Sequence, residues 1–536
     1  MMKCLIKNRF ARLFQYSLNL LFILLLAHCA ALPTVKQARS PDEFSANRKN
    51  EALIVVSGVV NTGEVNQISY LRLQSLDAPL VKGKPNPAPP EYLLNTVNSG
   101  KSKNISLLVG SVPSGRYKVS EINFGGRYLD LKTNKGLSDL EFQANGVYDL
   151  GMIILTAANA RVLVGLSSQF PDNQQLIKRY LPANDLLKDA KVGGWIETSP
   201  KKDPIAEYFA LSHPQGLSNL VESLDGEIFA GSRMGTVVAR NTSGKWRIVG
   251  RTGTYDQITL VIPNPEGAKD STYAFTENGD TFLLESDKVT KVEMGNFPKG
   301  QVFFLQHNAQ RTRWFVGVTH DKKSELLTAN SLNGQWEVVY SENVEFSAWS
   351  GARNVWTGRL PNGFVFASTN SSDVRCYDFQ SEKWTLTGIP KKRVLLDLKT
   401  NPKTGAIGIL TGPGGGFGGA FATPFFSNQC GAGWTEIKSP YTVQVAAPIP
   451  LNDSSIAEIG GVFGDAGIYV STDNAATWKK QSDKAIMVER FFQTISNGLF
   501  VVSSGASGFE QVFNSKDNGS TWQLELSSFD QRLNTK

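Results

Sequence analysis

The 536-residue sequence predicts an all-β chain, a seven-bladed β-propeller preceded by a small β-sandwich, and three observations carry that expectation. Tryptophans recur at Trp246, Trp336, Trp384, Trp434, Trp478 and Trp522, with gaps of 90, 48, 50, 44 and 44 residues. Turn dipeptides that open apolar strands recur with a similar period, in DGEIF at Asp225, NGDTF at Asn278, NGFVF at Asn362 and NGLFV at Asn497. Composition is the third: 49 Gly and 24 Pro, with 41% apolar and 19% charged residues, describe a turn-rich globular chain. Ninety residues is two periods, so one repeat has lost its tryptophan near Lys291. Seven repeats of about 47 residues then fill the span, the length of a four-stranded blade.

The first element, residues 1–31, has a basic start with Lys3, Lys7, Arg9 and Arg12, an apolar stretch from Leu18 to Ala27 and small residues after it. These are the three parts of a secretory signal, and the apolar stretch falls short of the ~20 residues of a spanning helix. The chain is therefore expected to be exported, to the periplasm, the outer membrane or beyond. Within the signal, LLAHCA resembles the lipobox of bacterial lipoproteins, which implies a lipid on Cys29 and a signal that ends before it; His28 stands where that family has Gly, Ala or Ser. Cleavage after Ala31, with Cys29 and Ala31 as the small −3 and −1 residues, is the competing reading. Loss of the four cations takes the net charge from +7 to +3. No Lys/Arg run with interleaved aromatics remains, so nucleic acid is not an expected partner and the membrane is reached only through an N-terminal lipid.

Residues 32–50 are polar and aperiodic, as expected of a linker. Over 51–156, short apolar runs such as ALIVVSGVV, ISLLVGSV and YDLGMIIL are bounded by Gly, Pro, Asn and Ser, the pattern of a small β-sandwich. There VPSGRYKVSEI, Val112 to Ile122, resembles the Pro-x-Gly-x-Tyr strand entry of prealbumin-like and carboxypeptidase-regulatory-like sandwiches, which implies an accessory, non-catalytic module. Residues 157–205 form a partly helical connector, in which Pro182 separates two short amphipathic stretches and which includes Trp195. The propeller takes 206–536.

SKDNGSTW, from Ser515 to Trp522, has Ser515, Asp517, Gly519 and Trp522 at fixed offsets, and STDNAATW repeats the pattern with Ser471, Asp473 and Trp478, Ala475 replacing the glycine. SNQCGAGW, Ser427 to Trp434, keeps less, with Gln429 in place of the aspartate. The pattern is similar to the Asp-box, or BNR, repeat. That resemblance implies a turn between the third and fourth strands of a blade, where the aspartate accepts backbone N–H bonds, the glycine takes φ > 0 and the tryptophan packs behind. These residues are read as structural.

Asp-box families include sialidases, whose chemistry needs an arginine triad with a Phe/Tyr-Arg-Ile-Pro motif; the nearest string, GRLPNG at Gly358 to Gly363, opens a repeat marker instead. His213, His307 and His320 lack metal-ligand spacing and no G-x-S-x-G elbow occurs, so no catalytic, metal or cofactor residue is assigned. Cys376 and Cys430 either form one bridge, which export permits, or remain separate thiols. TGPGGGFGGAF holds Gly414, Gly416 and Gly419 in phosphate-loop order, but no helix follows, and the run, with Phe417, is read as a protruding recognition loop. The functional expectation is an exported cell-envelope binding or assembly protein that holds a protein or glycan on a propeller face; the alternative is a sialidase-like glycoside hydrolase with a site in the central cleft.

Overall fold

A strand whose apolar residues are successive rather than alternate has to bury both faces, and the run EALIVVSGVV sets the N-terminal architecture in this way. The computed structural model describes residues 35–38 and 50–527 apart from 63–66, 78–88, 103, 132–136, 159–160, 171, 197–203, 264–270, 286–287, 321, 345–353, 414–420, 442, 445, 462–466, 483–487, 497 and 505–509. In it Glu51–Asn61 is buried at every position after Glu51 and lies inside a five-stranded sheet. It pairs antiparallel with Ile105–Pro113 and parallel with Val147–Ala158. Ile54, Val56 and Val60 pack on Leu71, Ile122 and Phe124 of a facing six-stranded sheet. Leu53, Val55 and Val59 point the other way, onto α1 (Gln174–Tyr180), α2 (Pro204–Ser212) and, beyond them, Met234 and Tyr255.

Three segments differ from their reading as linker or connector. Val35–Gln37, in the polar 32–50 stretch, adds parallel to the edge strand Glu91–Asn95, because a backbone ladder asks nothing of side-chain polarity. Arg161–Leu166 folds back on Val147–Ala158, and Lys191–Val192 adds to the same strand, so pairing runs well past Thr156. Helix α2 straddles the 205/206 boundary, with Ala206 and Ala210 fully buried. The stretch around Pro182 does divide, into α1 and a 3-10 turn at Asp185–Asp189. Trp195 donates its indole N–H to the Leu150 carbonyl at 3.1 Å.

From residue 221 the chain forms seven consecutive four-stranded antiparallel sheets, here sheets 1 to 7, over 221–251, 258–292, 301–343, 355–388, 394–436, 449–482 and 488–527. First strands of neighbouring sheets lie against one another, Ile258–Pro263 beside Gln301–His307 and Val355–Leu360 beside Val394–Thr400. They line the axis and the fourth strands form the outer rim: the chain is an all-β propeller. The tryptophan spacing follows the fourth strands. Trp246 and Trp384 lie in them and Trp336, Trp434, Trp478 and Trp522 immediately precede them, while Lys291 falls in the fourth strand of sheet 2, Lys288–Val292. The dipeptide marker is less regular, because Asn278 and Gly279 precede the third strand of their sheet whereas the other three copies precede second strands. Any tight hairpin favours Asn-Gly or Asp-Gly, so that marker reports turns rather than blades.

Sheets 1 and 7 meet face to face, Ile228, Ala230, Val238 and Trp246 against Phe500, Val502, Val512 and Leu526. Each sheet is built from one continuous stretch, so side chains close the seam. Arg240 Nε and Nη2 clamp Glu525 at 2.5 and 2.7 Å, both residues almost fully buried. The Glu222 carboxylate accepts from the N–H groups of Ile495 and Ser496 at 2.6 and 3.0 Å, and Glu510 from those of Gly216 and Leu217 at 3.2 and 3.0 Å.

Cys376 and Cys430 form a disulfide, Cα atoms 6.3 Å apart, tying the third strand of sheet 4 to the turn before the fourth strand of sheet 5. The bond cross-links residues 54 apart in sequence, and its loss is expected to cost ~2–4 kcal/mol. Urea unfolding with and without dithiothreitol reads this directly. The double variant Cys376→Ala/Cys430→Ala should show the lowered midpoint and no response to reductant.

Candidate binding site

Because all first strands run the same way, the turns from first to second strands gather at one end of the axis, the turn end. Connections between second and third strands and between successive sheets gather at the other, the connection end. The two-sheet unit sits on the connection end above sheets 1 and 2. Asn104 Nδ2 donates to the carbonyls of Arg233 and Tyr255 at 2.6 and 2.5 Å, Ser102 Oγ to Glu277 at 3.0 Å, and Arg179 pairs with Asp256 at 3.2 Å. At the centre of this contact Glu207 of α2 accepts from Ser167 Oγ at 2.6 Å, Ser168 N at 3.0 Å and the Tyr255 hydroxyl at 2.6 Å. Burial pushes the Glu207 carboxyl up, but these bonds outweigh it and hold the group below its ordinary range. Asn61 Nδ2 reaches the Ala210 and His213 carbonyls, each at 3.2 Å. Little in the amino-acid pattern signals this clamp beyond an Asn at the end of an otherwise apolar strand.

The strands that flank the glycine-rich run, Ile407–Gly412 and Thr423–Ser427, are the second and third of sheet 5. Gly414, Gly416, Phe417 and Gly419 lie outside the described residues, as does Cys29. The base of the run is described: Arg393 Nη1 donates to the Phe421 carbonyl at 3.1 Å and Thr423 Oγ1 at 2.7 Å, and the Phe421 ring is exposed.

The turns at Ser471 and Ser515 join third to fourth strands, on the rim of the turn end. Asp473 accepts from Thr477 N at 2.9 Å and Oγ1 at 2.5 Å and from Ser471 Oγ at 2.7 Å. Asp517 makes the same set with Thr521 at 2.8 and 2.6 Å and Ser515 at 2.8 Å. The Thr477 bonds hold the Asp473 carboxyl down at about 2. Burial pushes Asp517 up, and the Thr521 bonds more than reverse that. Both carboxylates are spent on their own turns. Trp522 Nε1 donates to the Gly519 carbonyl and Trp478 Nε1 to the Lys438 carbonyl of the preceding segment, each at 3.0 Å. Gly519 has φ 87°, and Ala475, in its place in sheet 6, is held at φ 67°. A Cβ in this region is strained, so Ala475→Gly is expected to raise stability by about 1 kcal/mol in denaturant titration. In the third copy Gln429 supplies no carboxylate, and the Cys430 bridge and the bond from Trp434 Nε1 to the Gly388 carbonyl at 2.8 Å hold the turn instead.

Charge that the scaffold does not consume lies at the mouth of the axis at the turn end. Arg359, near the end of the first strand of sheet 4, reaches across to the Glu222 carbonyl of sheet 1 at 3.4 Å, and no ion pair forms on it among the described residues. The protein atoms crowded around the mouth push its guanidinium down although the side chain is exposed to solvent, and the Glu222 charge opposes that shift. His307, at the end of the first strand of sheet 3, is lowered by burial and by the cations Arg311 and Arg359. Leu224 and Ile495, on neighbouring turns, stand 93% and 46% exposed at the same rim. The other histidines are engaged elsewhere: His213 stacks on Phe209 with ring centroids 3.8 Å apart, and His320 meets Glu325 at 2.9 Å. No cluster of three His, Cys, Asp or Glu suited to a metal ion occurs among the described residues.

One buried carboxyl stands apart from both ends. Glu458, on the second strand of sheet 6, is 1% exposed with neither oxygen in a hydrogen bond of good geometry. Burial pushes the carboxyl up to about 7, and the hydroxyls of Ser439 and Tyr441 beside it, in loose geometry, offset that only in part.

No family model and no curated protein matches the chain. Among solved structures it is similar to BamB from Moraxella catarrhalis, at 13% identity and TM-score 0.33, over 56% of this chain and 85% of that one. It is similar to YCF48 from Cyanidioschyzon merolae at 11% identity and TM-score 0.39, over 54% and 92% of the two chains. An ancestral GH74 enzyme is similar at 13% identity and TM-score 0.42, over 58% of this chain and 46% of that one. These are likenesses of fold.

Proposed function

We propose that the chain is an exported cell-envelope protein that holds a protein partner on its propeller and performs no catalysis. In this reading residues 1–31 are an export signal, with Cys29 lipidated or lost on cleavage after Ala31. The two-sheet unit is a prealbumin-like or carboxypeptidase-regulatory-like sandwich that serves as a spacer. The seven blades carry Asp-box turns as staples, two of them well kept. The glycine-rich loop through Gly414, Gly416, Phe417 and Gly419 is the recognition element.

The observation that carries the reading is how the carboxylates at the seam, the interdomain contact and the rim turns are engaged. Glu207, Glu222, Glu510 and Glu525 each hold parts of the scaffold together, and Asp473 and Asp517 each hold a turn. None of these is left as the paired acid and base a glycoside hydrolase uses. The exposed Phe421 at the base of the loop instead offers an apolar contact.

Photo-crosslinking in envelope fractions, from positions 416 and 417 and from the control position 517, tests this reading. Adducts of one defined protein at the loop positions and none at 517 are expected. Hydrolysis of an envelope glycan by the purified chain, or identical adducts at all three positions, would overturn it. Asp473→Ala and Asp517→Ala should lower the melting temperature and leave the loop adducts unchanged.

A further inference from the structure

We propose that the mouth of the axis at the turn end is a second binding site, which takes a carboxylate presented by an acidic polypeptide segment with aliphatic neighbours. It shares no residue with the glycine-rich loop and does not depend on that loop's role.

Three features converge there. Arg359 spans the mouth to a neutral acceptor, the Glu222 carbonyl, at 3.4 Å, at the long edge of hydrogen-bonding distance, so an ionised oxygen would displace it to form a shorter, charge-assisted bond. The nearest fixed negative charge cannot compete, because the Glu222 carboxylate already takes the Ile495 and Ser496 N–H groups and the Ser496 hydroxyl.

Arg311 is fixed by its turn. Its backbone lies in the left-handed region at φ 56°, Asn308 Oδ1 accepts from the next two N–H groups at 2.8 and 3.2 Å, and Trp314 Nε1 donates to the Arg311 carbonyl at 2.9 Å. The buried Nε of Arg311 has no hydrogen-bond partner, and the charge of this side chain reaches His307. Burial lowers His307, and the charges of Arg311 and Arg359 lower it further. Its Nδ1 is engaged by the Asn308 carbonyl at 2.7 Å, which leaves Nε2 to gain or lose the proton.

The rim decides between classes of ligand. Leu224 and Ile495 are aliphatic and exposed, whereas Trp314 is buried behind His307, ring centroids 4.4 Å apart. A sugar ring stacks on an exposed aromatic face; an acidic peptide needs a cation beside an apolar lip. The groups that set the pH response are Arg311, Arg359, Asn308 and Trp314 around His307, with Glu222 across the mouth. An anion seated on the two guanidinium groups offsets the charge that keeps His307 neutral, so binding should take up a proton and strengthen as pH falls from about 7.5 to 5.5.

Fluorescence anisotropy of the full mature chain with a labelled Glu-Leu-Glu-Leu-Glu peptide tests the site, with the Gln-Leu counterpart and oligogalacturonate as the other probes. The acidic peptide should bind, weaken with salt, and lose about tenfold in affinity in Arg359→Met, a variant that keeps the aliphatic stem. Arg311→Ala should lose several-fold, and His307→Gln should abolish the pH dependence while binding at pH 7.5 persists. Unfolding midpoints equal to that of the unaltered chain show that these variants are folded. Equal binding of the Gln-Leu peptide, no binding at all, or Arg359-dependent binding of oligogalacturonate alone would overturn the proposal, the last by giving the site to an acidic glycan. Loop crosslinking in Arg359→Met should match the unaltered chain, which separates failure here from failure of the recognition loop.

Discussion

Arg240→Ala should destabilise the propeller by about 3–5 kcal/mol, the largest loss expected of any single side chain described above. The guanidinium of Arg240 and the carboxylate of Glu525 are 1% and 4% exposed, so removing one leaves the other as an uncompensated charge in a dry seam. The seam is also where the first and last sheets meet without a shared strand. Local loss there opens the ring rather than loosening one blade. Urea titration followed by tryptophan fluorescence measures the effect. Arg240→Met combined with Glu525→Leu should recover most of the stability, because an apolar pair of similar size fills the same space without burying charge. If both single variants unfold at the same denaturant concentration as the unaltered chain, the ion pair does not close the ring.

The second large effect is a pH dependence from Glu458. Its carboxyl is raised from 4.5 to about 7 in the folded chain, so the folded state binds the proton more tightly than the unfolded state. The sign follows from linkage: the contribution is fully present below about pH 4.5, falls as the unfolded chain ionises, and is gone once pH passes about 7. A shift of this size amounts to about 3 kcal/mol across that window. Glu458→Gln, which copies the shape of the protonated acid, should flatten the profile between pH 5 and 7.5 and be the more stable form at pH 8. Denaturation midpoints for the two proteins across that range check it; parallel profiles would show that Glu458 is not the group responsible.

The propeller was legible because six of the seven sheets place a tryptophan at the start of the fourth strand, and a large aromatic ring at a fixed structural position leaves a period. The copy without a tryptophan was still placed, since Lys291 falls where the period requires. Asn-Gly turns misled at Asn278, because hairpins at any level of a blade use the same chemistry. The disulfide could not be read, since nothing in spacing brings Cys376 within 6.3 Å of Cys430. The mouth was equally hidden: Arg359, His307 and Glu222 come from sheets 4, 3 and 1, and only closure of the ring assembles them. Gly414, Gly416, Phe417, Gly419 and Cys29 lie outside the described residues, and Arg393, Phe421 and Thr423 mark the base of the glycine-rich run.

The strand Glu51–Asn61 has a consequence for how the molecule comes apart. One side of it belongs to the core between the two N-terminal sheets and the other to the contact with α1, α2 and the propeller. Separation of the halves would leave Leu53, Val55, Val59, Met234 and Tyr255 facing water, so neither half should survive alone as a well-behaved fragment. Scanning calorimetry of the whole chain should then give one cooperative transition instead of two, and a two-sheet unit packed this way transmits force to the ring as a rigid handle rather than as a hinge.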